Sequence, residues 1–207
     1  MKAIIAGDII SSQQMEAGFF LNELDKVLNQ LQEVDLFHIY RGDSFQLLIK
    51  ETSTALLVCL KIKTALKRKG IAARMAIGLG DVELIQNNIA ISTGSAFTRS
   101  GALLDSLKEL KQNIMVDSGN THYDTYINTS LQLALTFMDS WTNNGAEVLF
   151  EVLNHPDQTQ QQIGERLGIK QSTASRRLDR VQLKEVQALL ELFEKYYFKD
   201  INHGTTI

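Results

Sequence analysis

The 207-residue chain has one cysteine, one proline and four histidines, and its formal net charge is only −3. Cys59, being alone, cannot form an internal disulfide, which points to a reducing compartment. Its neighbours Leu56, Leu57, Val58 and Leu60 make it a buried structural thiol rather than a nucleophile. No stretch reaches the roughly 20 apolar residues of a bilayer span. The opening residues Met1–Asp8 meet a charge before a secretory core could form. The expected setting is therefore the cytoplasm, with no membrane partner. His38, His122, His155 and His203 are dispersed, without the paired spacing of a zinc site. There is no phosphate loop of the Walker kind and no hydrolase elbow. The small global charge carries no sign of nucleic acid. What the chain does have is 44% hydrophobic residues. That is enough for a packed core, so wholesale disorder is excluded; the length allows one large domain or two small ones.

Residue periods divide the chain. Lys2–Gly7 reads as a buried strand, and Phe19–Val34 as an amphipathic helix with Phe20, Leu24, Val27, Leu28 and Leu31 at helical spacing. Asp35–Arg41 and Ser44–Ile49 read as strands joined by a hairpin at Gly42-Asp43. Thr52–Lys69 is a second helix closing on Gly70, and Ala73–Gly80 a further strand. Gly78 and Gly80 read as turn chemistry at its end. Asn88–Ser92 is a weak strand, Gly94–Leu110 a third helix and Ile114–Asp117 a short strand. The fold class is α+β: the first six elements follow a ferredoxin-like, split βαβ order, with two helices on one face of a sheet. Ser118–Tyr126 is polar and turn-rich, Thr129–Trp141 is helical, and everything after Asn143-Asn144-Gly145 reads as helix. The expected organisation is an α/β domain over 1–120, a connecting helix within 121–144 and an all-α domain over 145–207.

Within that last part lies a helix-turn-helix pattern. Gln158–Leu167 is a short helix with Thr159 as N-cap, Gly168 supplies a turn, and Ser172 is placed to cap a second helix running to about Val181. Ile163, Leu167, Ile169, Ala174, Leu178 and Val181 are its apolar positions, and Gly164 allows close helix packing at a propensity cost. The stretch Thr159–Leu178 resembles the helix-turn-helix of bacterial transcription factors at nearly every position. Charge becomes informative here: between Arg166 and Lys184 six positive side chains face only Asp179, a local +5. Phosphate neutralisation supplies most non-specific DNA affinity. The candidate DNA-binding residues are Lys170, Gln171, Ser172, Thr173, Ser175, Arg176, Arg177 and Arg180, with Arg suited to guanine and Gln to adenine edges. The alternative is a solvated basic face on a packing module. Val181–Phe198, with Val186, Leu189, Leu190, Phe193, Tyr196 and Tyr197, is either a core helix or a dimer helix.

Two aspartates end up at strand ends. Asp8 leaves the first strand and Asp43 sits in the hairpin, so a split βαβ sheet brings them to one end. Neighbouring carboxylates repel unless a proton or cation lies between them. Oxygen ligands of this kind suit Mg²⁺, which completes its shell with substrate phosphates. Ile9, Ser11 and Ser12 offer backbone N–H groups and hydroxyls as a phosphate cradle. The other reading of both aspartates is as turn or capping residues.

The segments Ala6-Gly7-Asp8-Ile9 and Arg41-Gly42-Asp43-Ser44-Phe45 resemble the metal-binding motifs of class III nucleotidyl cyclases. Arg74–Gly80 is similar to the strand after their second helix, and Gly94–Leu104 to the helix bearing their transition-state groups. Followed by a helix-turn-helix, this set resembles the bacterial SatD family over essentially the whole chain. The resemblance implies Asp8 and Asp43 as metal ligands and a nucleotide near Thr98 and Arg99. The cyclase Asn falls on Thr98 and the cyclase Arg on Ala102, which departs from the catalytic pattern. The expectation is a dimeric DNA-binding regulator whose cyclase-like domain senses a nucleotide with Mg²⁺ or serves for oligomerisation. The alternative is a Mg²⁺-dependent nucleotidyl cyclase or oligonucleotide synthase using Asp8 and Asp43.

Overall fold

The computed structural model describes residues 1–195. The described residues form an α+β fold with one five-stranded mixed sheet and eight α-helices. In chain order these are β1 (Lys2–Ile9), α1 (Ala17–Gln30), β2 (Val34–Tyr40), β3 (Ser44–Ile49), α2 (Ala55–Lys67), β4 (Ala73–Gly80), α3 (Ser95–Leu110), β5 (Ile114–Asp117), α4 (Thr121–Met138), α5 (Asn143–Asn154), α6 (Gln160–Arg166), α7 (Gln171–Arg180) and α8 (Leu183–Lys195). The sheet order is β2-β3-β1-β4-β5. β1 is antiparallel to both β3 and β4, and β5 is parallel to β4.

Side-chain alternation along β1 separates two faces. Ala3, Ile5 and Ile9 join the main buried cluster with residues of α1 and α2, whereas Ile4 packs with Leu48, Ile89 and Ala96 on the opposite face. Helix α3 lies on that second face. It comes so close to β4 that a Cβ on Gly78 would sit 2.2 Å from the Ala96 carbonyl oxygen. Gly78 and Gly80 are therefore inside the strand, under a helix, rather than in a turn after it. Gly70, with φ +77°, takes up the left-handed turn that follows α2, as the sequence indicates.

Two stretches differ from expectation. The segment Asn88–Ser92 is not a strand; it contains a 3-10 turn at Ile89–Ile91, because the Asn88 side chain accepts the Ala90 N–H at 3.0 Å and diverts the backbone. Helix α4 begins well inside the polar stretch 118–126. Asn120 Oδ1 caps it by accepting the Tyr123 N–H at 3.1 Å, and Tyr123 is buried.

Helix α2 is apolar nearly all round and is correspondingly enclosed: Leu56, Val58, Cys59, Leu60, Ile62 and Leu66 are all fully buried. It packs on β1 and β4 and on α5 and α8. The main cluster consequently continues without a break from Ala3, through Leu131 and Leu149, to Phe193. Trp141, between α4 and α5, donates its indole N–H to the Val181 carbonyl at 3.1 Å in a buried setting, tying that junction to the end of α7. Val186, Leu189 and Phe193 of α8 belong to the same core, whereas Tyr196, Tyr197 and His203 lie outside the described residues. No helix among the described residues is long and apolar enough to cross a membrane.

Cys59 is fully buried, and burial pushes its thiol far above the usual range. A maleimide or disulfide reagent at neutral pH is expected to leave the native protein unmodified and to label it once denaturant unfolds it. Stoichiometric labelling of the folded chain would contradict this packing of α2.

Candidate functional site

Strand register places Asp8 opposite both Ser44 of β3 and Arg74 of β4. Alternation puts this row on the sheet face covered elsewhere by α3. The Arg74 guanidinium binds Asp8 in a fork: Nε donates to Oδ1 and Nη2 to Oδ2, each at 2.9 Å. The side chains are only 26% and 16% exposed, so the pair is shielded from most solvent screening. Asp43 comes to the same end, and its carbonyl accepts the Ile9 N–H at 3.0 Å. Its carboxylate accepts the Ser12 hydroxyl at 2.6 Å on Oδ2 and the Ser44 hydroxyl at 3.3 Å on Oδ1.

The aspartates are thus neighbours, and each already has partners within the chain. Both oxygens of Asp8 belong to Arg74, and both oxygens of Asp43 accept hydroxyls. Mg²⁺ takes oxygen ligands at about 2.0–2.1 Å in near-octahedral geometry, usually one or two carboxylates completed by water and phosphate. At Asp8 it would have to compete with the guanidinium fork. Among the described residues no group of three or more His, Cys, Asp or Glu could hold a metal ion. As arranged, Asp8 faces a guanidinium rather than an open cation position. The phosphate cradle is filled in the same way: the Ile9 N–H goes to Asp43 and the Ile10 N–H to the Ala72 carbonyl at 2.8 Å, while Ser11 turns outward at φ +57°.

Thr98 and Arg99 are not part of this cluster. Arg99 donates to the Leu79 carbonyl, lies 3.7 Å from Asp117, and packs its guanidinium against Gly119. Leu79 pairs with Ala3, whereas Arg74 pairs with Asp8. Five residues of strand separate the two levels, about 17 Å. Thr98, exposed, donates its hydroxyl to the Gly94 carbonyl at 3.3 Å. The near end instead gathers Tyr40, Arg41 and Asp105. The Tyr40 phenol is pushed up by burial and by the Asp105 and Asp8 carboxylates, against the opposing Arg41 charge. Sequence reading missed these three. For Asp105 the signal is the direction of α3, which runs antiparallel to β4, so its later turns, not its first, reach the Asp8 end; Tyr40 and Arg41 come there with the hairpin that carries Asp43, Tyr40 pairing with Ser44.

A second candidate is the pair α6 and α7. Thr159 and Gln162 form a capping box: the Thr159 hydroxyl accepts the Gln162 N–H at 3.3 Å, and Gln162 Oε1 accepts the Thr159 N–H at 2.8 Å. Gly168 turns the chain at φ +65°. A Cβ on Gly164 would lie 2.9 Å from the Ile169 carbonyl oxygen, so a small residue is required there. Helix α7 begins at Gln171 with Lys170 in the N-cap position and no side-chain cap; Ser172 lies one residue inside the helix and does not cap it. Ala174, Leu178 and Val181 hold α7 to the core. Lys170, Gln171, Ser172, Arg176 and Arg180 are exposed, and Thr173 and Ser175 are half-buried. Arg177 differs from its neighbour: it is half-buried and lies 3.4 Å from Glu147 of α5. The eight candidates therefore split into five projecting groups, two partly covered hydroxyls and one arginine held by a part-buried ion pair.

Asp8→Ala strands the Arg74 guanidinium in a partly buried position and is expected to lower stability by about 1–2 kcal/mol, discounted for its partial exposure. The thermal midpoint of the native protein is expected to stay put on addition of EDTA or excess Mg²⁺. A Mg²⁺-dependent rise that vanishes in Asp43→Ala would show the carboxylates to be metal ligands after all.

No curated protein and no solved structure matches the chain. One family model, that of the SatD family, matches residues 2–190 and so takes in both the sheet end built on Asp8 and Arg74 and the α6–α7 pair. The chain belongs to the SatD family.

Proposed function

We propose that the protein is a DNA-binding transcriptional regulator in which α7 enters the major groove. The observation that carries this reading is the division of α7 into two faces. Ala174 and Leu178 anchor one to the core, and Gln171, Ser172, Arg176 and Arg180 project from the other beside Lys170. A short capped helix, a glycine turn and a second helix with polar residues near its N-terminus are the elements of groove readers. Exposed Arg and Lys supply the phosphate term, while Gln171 and Ser172 supply base-edge donors and acceptors.

The sheet then acts as a degenerate, cyclase-like platform for sensing or for pairing two copies. The β4-β1-β3-β2 order supports a split βαβ reading of its first six elements. Two observations weigh against the nucleotidyl-transfer alternative. Asp8 is neutralised by Arg74, and Thr98 and Arg99 stand at the far end of the sheet. A nucleotide on this face would be met by Arg41, Arg74 and serine hydroxyls rather than through Mg²⁺. Dimerisation fits the two-fold symmetry of operators read by such helices.

The test is a titration of fluorescent duplex, selected from a random pool, over a salt series. Affinity is expected to fall steeply with salt, and Arg176→Ala/Arg180→Ala to weaken binding by about tenfold or more. Arg177→Ala should lower the thermal midpoint, through loss of the Glu147 pair, more than it lowers affinity per folded molecule. Salt-insensitive binding, or a double variant that binds like the native chain, would overturn the reading.

A further inference from the structure

Between α1, α2 and α5 lies a cavity of about 270 Å³. Its apolar wall is Val27, Leu31 and Phe150, and its polar wall holds Lys61, Glu33 and His155. Lys61 is 7% exposed and is bonded to Glu33. A buried ion pair is costly to desolvate and seldom a net source of stability. Here it borders a cavity instead of being sealed by packing.

We propose that this cavity binds a small zwitterion with an apolar side chain, of the chemical class of a free large hydrophobic amino acid. The charges select it. A ligand with a carboxylate and an ammonium can insert between Lys61 and Glu33 and leave each with an opposite partner. A ligand with one charge leaves one member of this largely shielded pair uncompensated, which is unfavourable. The Val27, Leu31 and Phe150 wall takes the apolar part. The volume falls just below the roughly 300 Å³ at which drug-sized pockets begin, which suits a ligand of about ten non-hydrogen atoms. The proposal rests on the cavity and its ion pair and not on the DNA reading. The location adds a physical link nonetheless: His155 lies 3.7 Å from Glu151, and Glu151 lies 3.6 Å from Arg166 of α6.

The experiment is thermal-shift and calorimetric titration of the full chain with L-phenylalanine and L-leucine. Phenylacetate, phenethylamine and glycine serve as probes lacking one charge or the side chain. One or both of the large amino acids should raise the midpoint by about 3 °C at about ten times Kd, with the three partial probes far weaker. Glu33→Gln, which keeps the shape, should reduce affinity at least about tenfold, and Lys61→Met likewise. Should Lys61→Met fail to fold, Glu33→Gln carries the test, since the Glu33 side chain, at 20%, is the more exposed of the two. No shift with either amino acid, equal binding of phenylacetate, or unchanged affinity in Glu33→Gln would overturn the proposal.

Discussion

Helix α2 has almost no outside, and the rest of the molecule is arranged around that fact. A helix that is apolar on every side must be covered on every side. The sheet covers one side through β1 and β4, and α5 and α8 cover another. The helical region that carries α6 and α7 is therefore held to the sheet by burial of Leu56, Leu60 and their neighbours, not by a linker alone. Fully burying each such side chain contributes about 1.5–3 kcal/mol, so the joint is a main source of stability. Peripheral contacts then set its geometry: Arg68 stacks on Phe150 at 4.1 Å, Lys63 pairs with Asp139, and Trp141 reaches Val181.

The sheet's second face is ruled by a different interaction. The Asp8–Arg74 fork satisfies a carboxylate that would otherwise need a proton or a cation. It ties the ends of β1 and β4 together, and Ser12 and Ser44 hold the Asp43 carboxylate by hydrogen bonds. Both sets of partners come from the chain itself, a cation for Asp8 and two hydroxyls for Asp43. One strand order can carry different chemistries, which is why function has to be argued from side-chain partners and not from strand order.

Much of this was legible beforehand, and the misses have definite causes. The strands β1 to β4 and helices α2, α3, α6 and α7 announce themselves by period, since amphipathic spacing is a local property. The capping box at Thr159 and Gln162 is a local signature too. Asn88 and Asn120 were harder: a single amide bonding to the nearby backbone turned an apolar stretch into a 3-10 turn in one case and started a helix early in the other. Gly78 could be taken for a turn residue because nothing local says that α3 will lie across it. Arg177 looked equivalent to Arg176, although one step along a helix is 100° of rotation and turns it toward Glu147.

The sequence by itself determined the α+β class, the burial of Cys59, the two short helices joined at Gly168, and the meeting of Asp8 and Asp43 at one sheet end, because periodicity and strand order suffice for these. Only the tertiary structure decided what those groups face. The partner of Asp8 is a residue 66 positions away, brought beside it by strand register. The separation of Arg99 from Asp8 follows from the antiparallel run of β1 and β4, and the enclosure of Lys61 with Glu33 from the docking of α5 on α2. Charge partnership is a property of space, and one-dimensional spacing fixes it only where both partners sit on the same element.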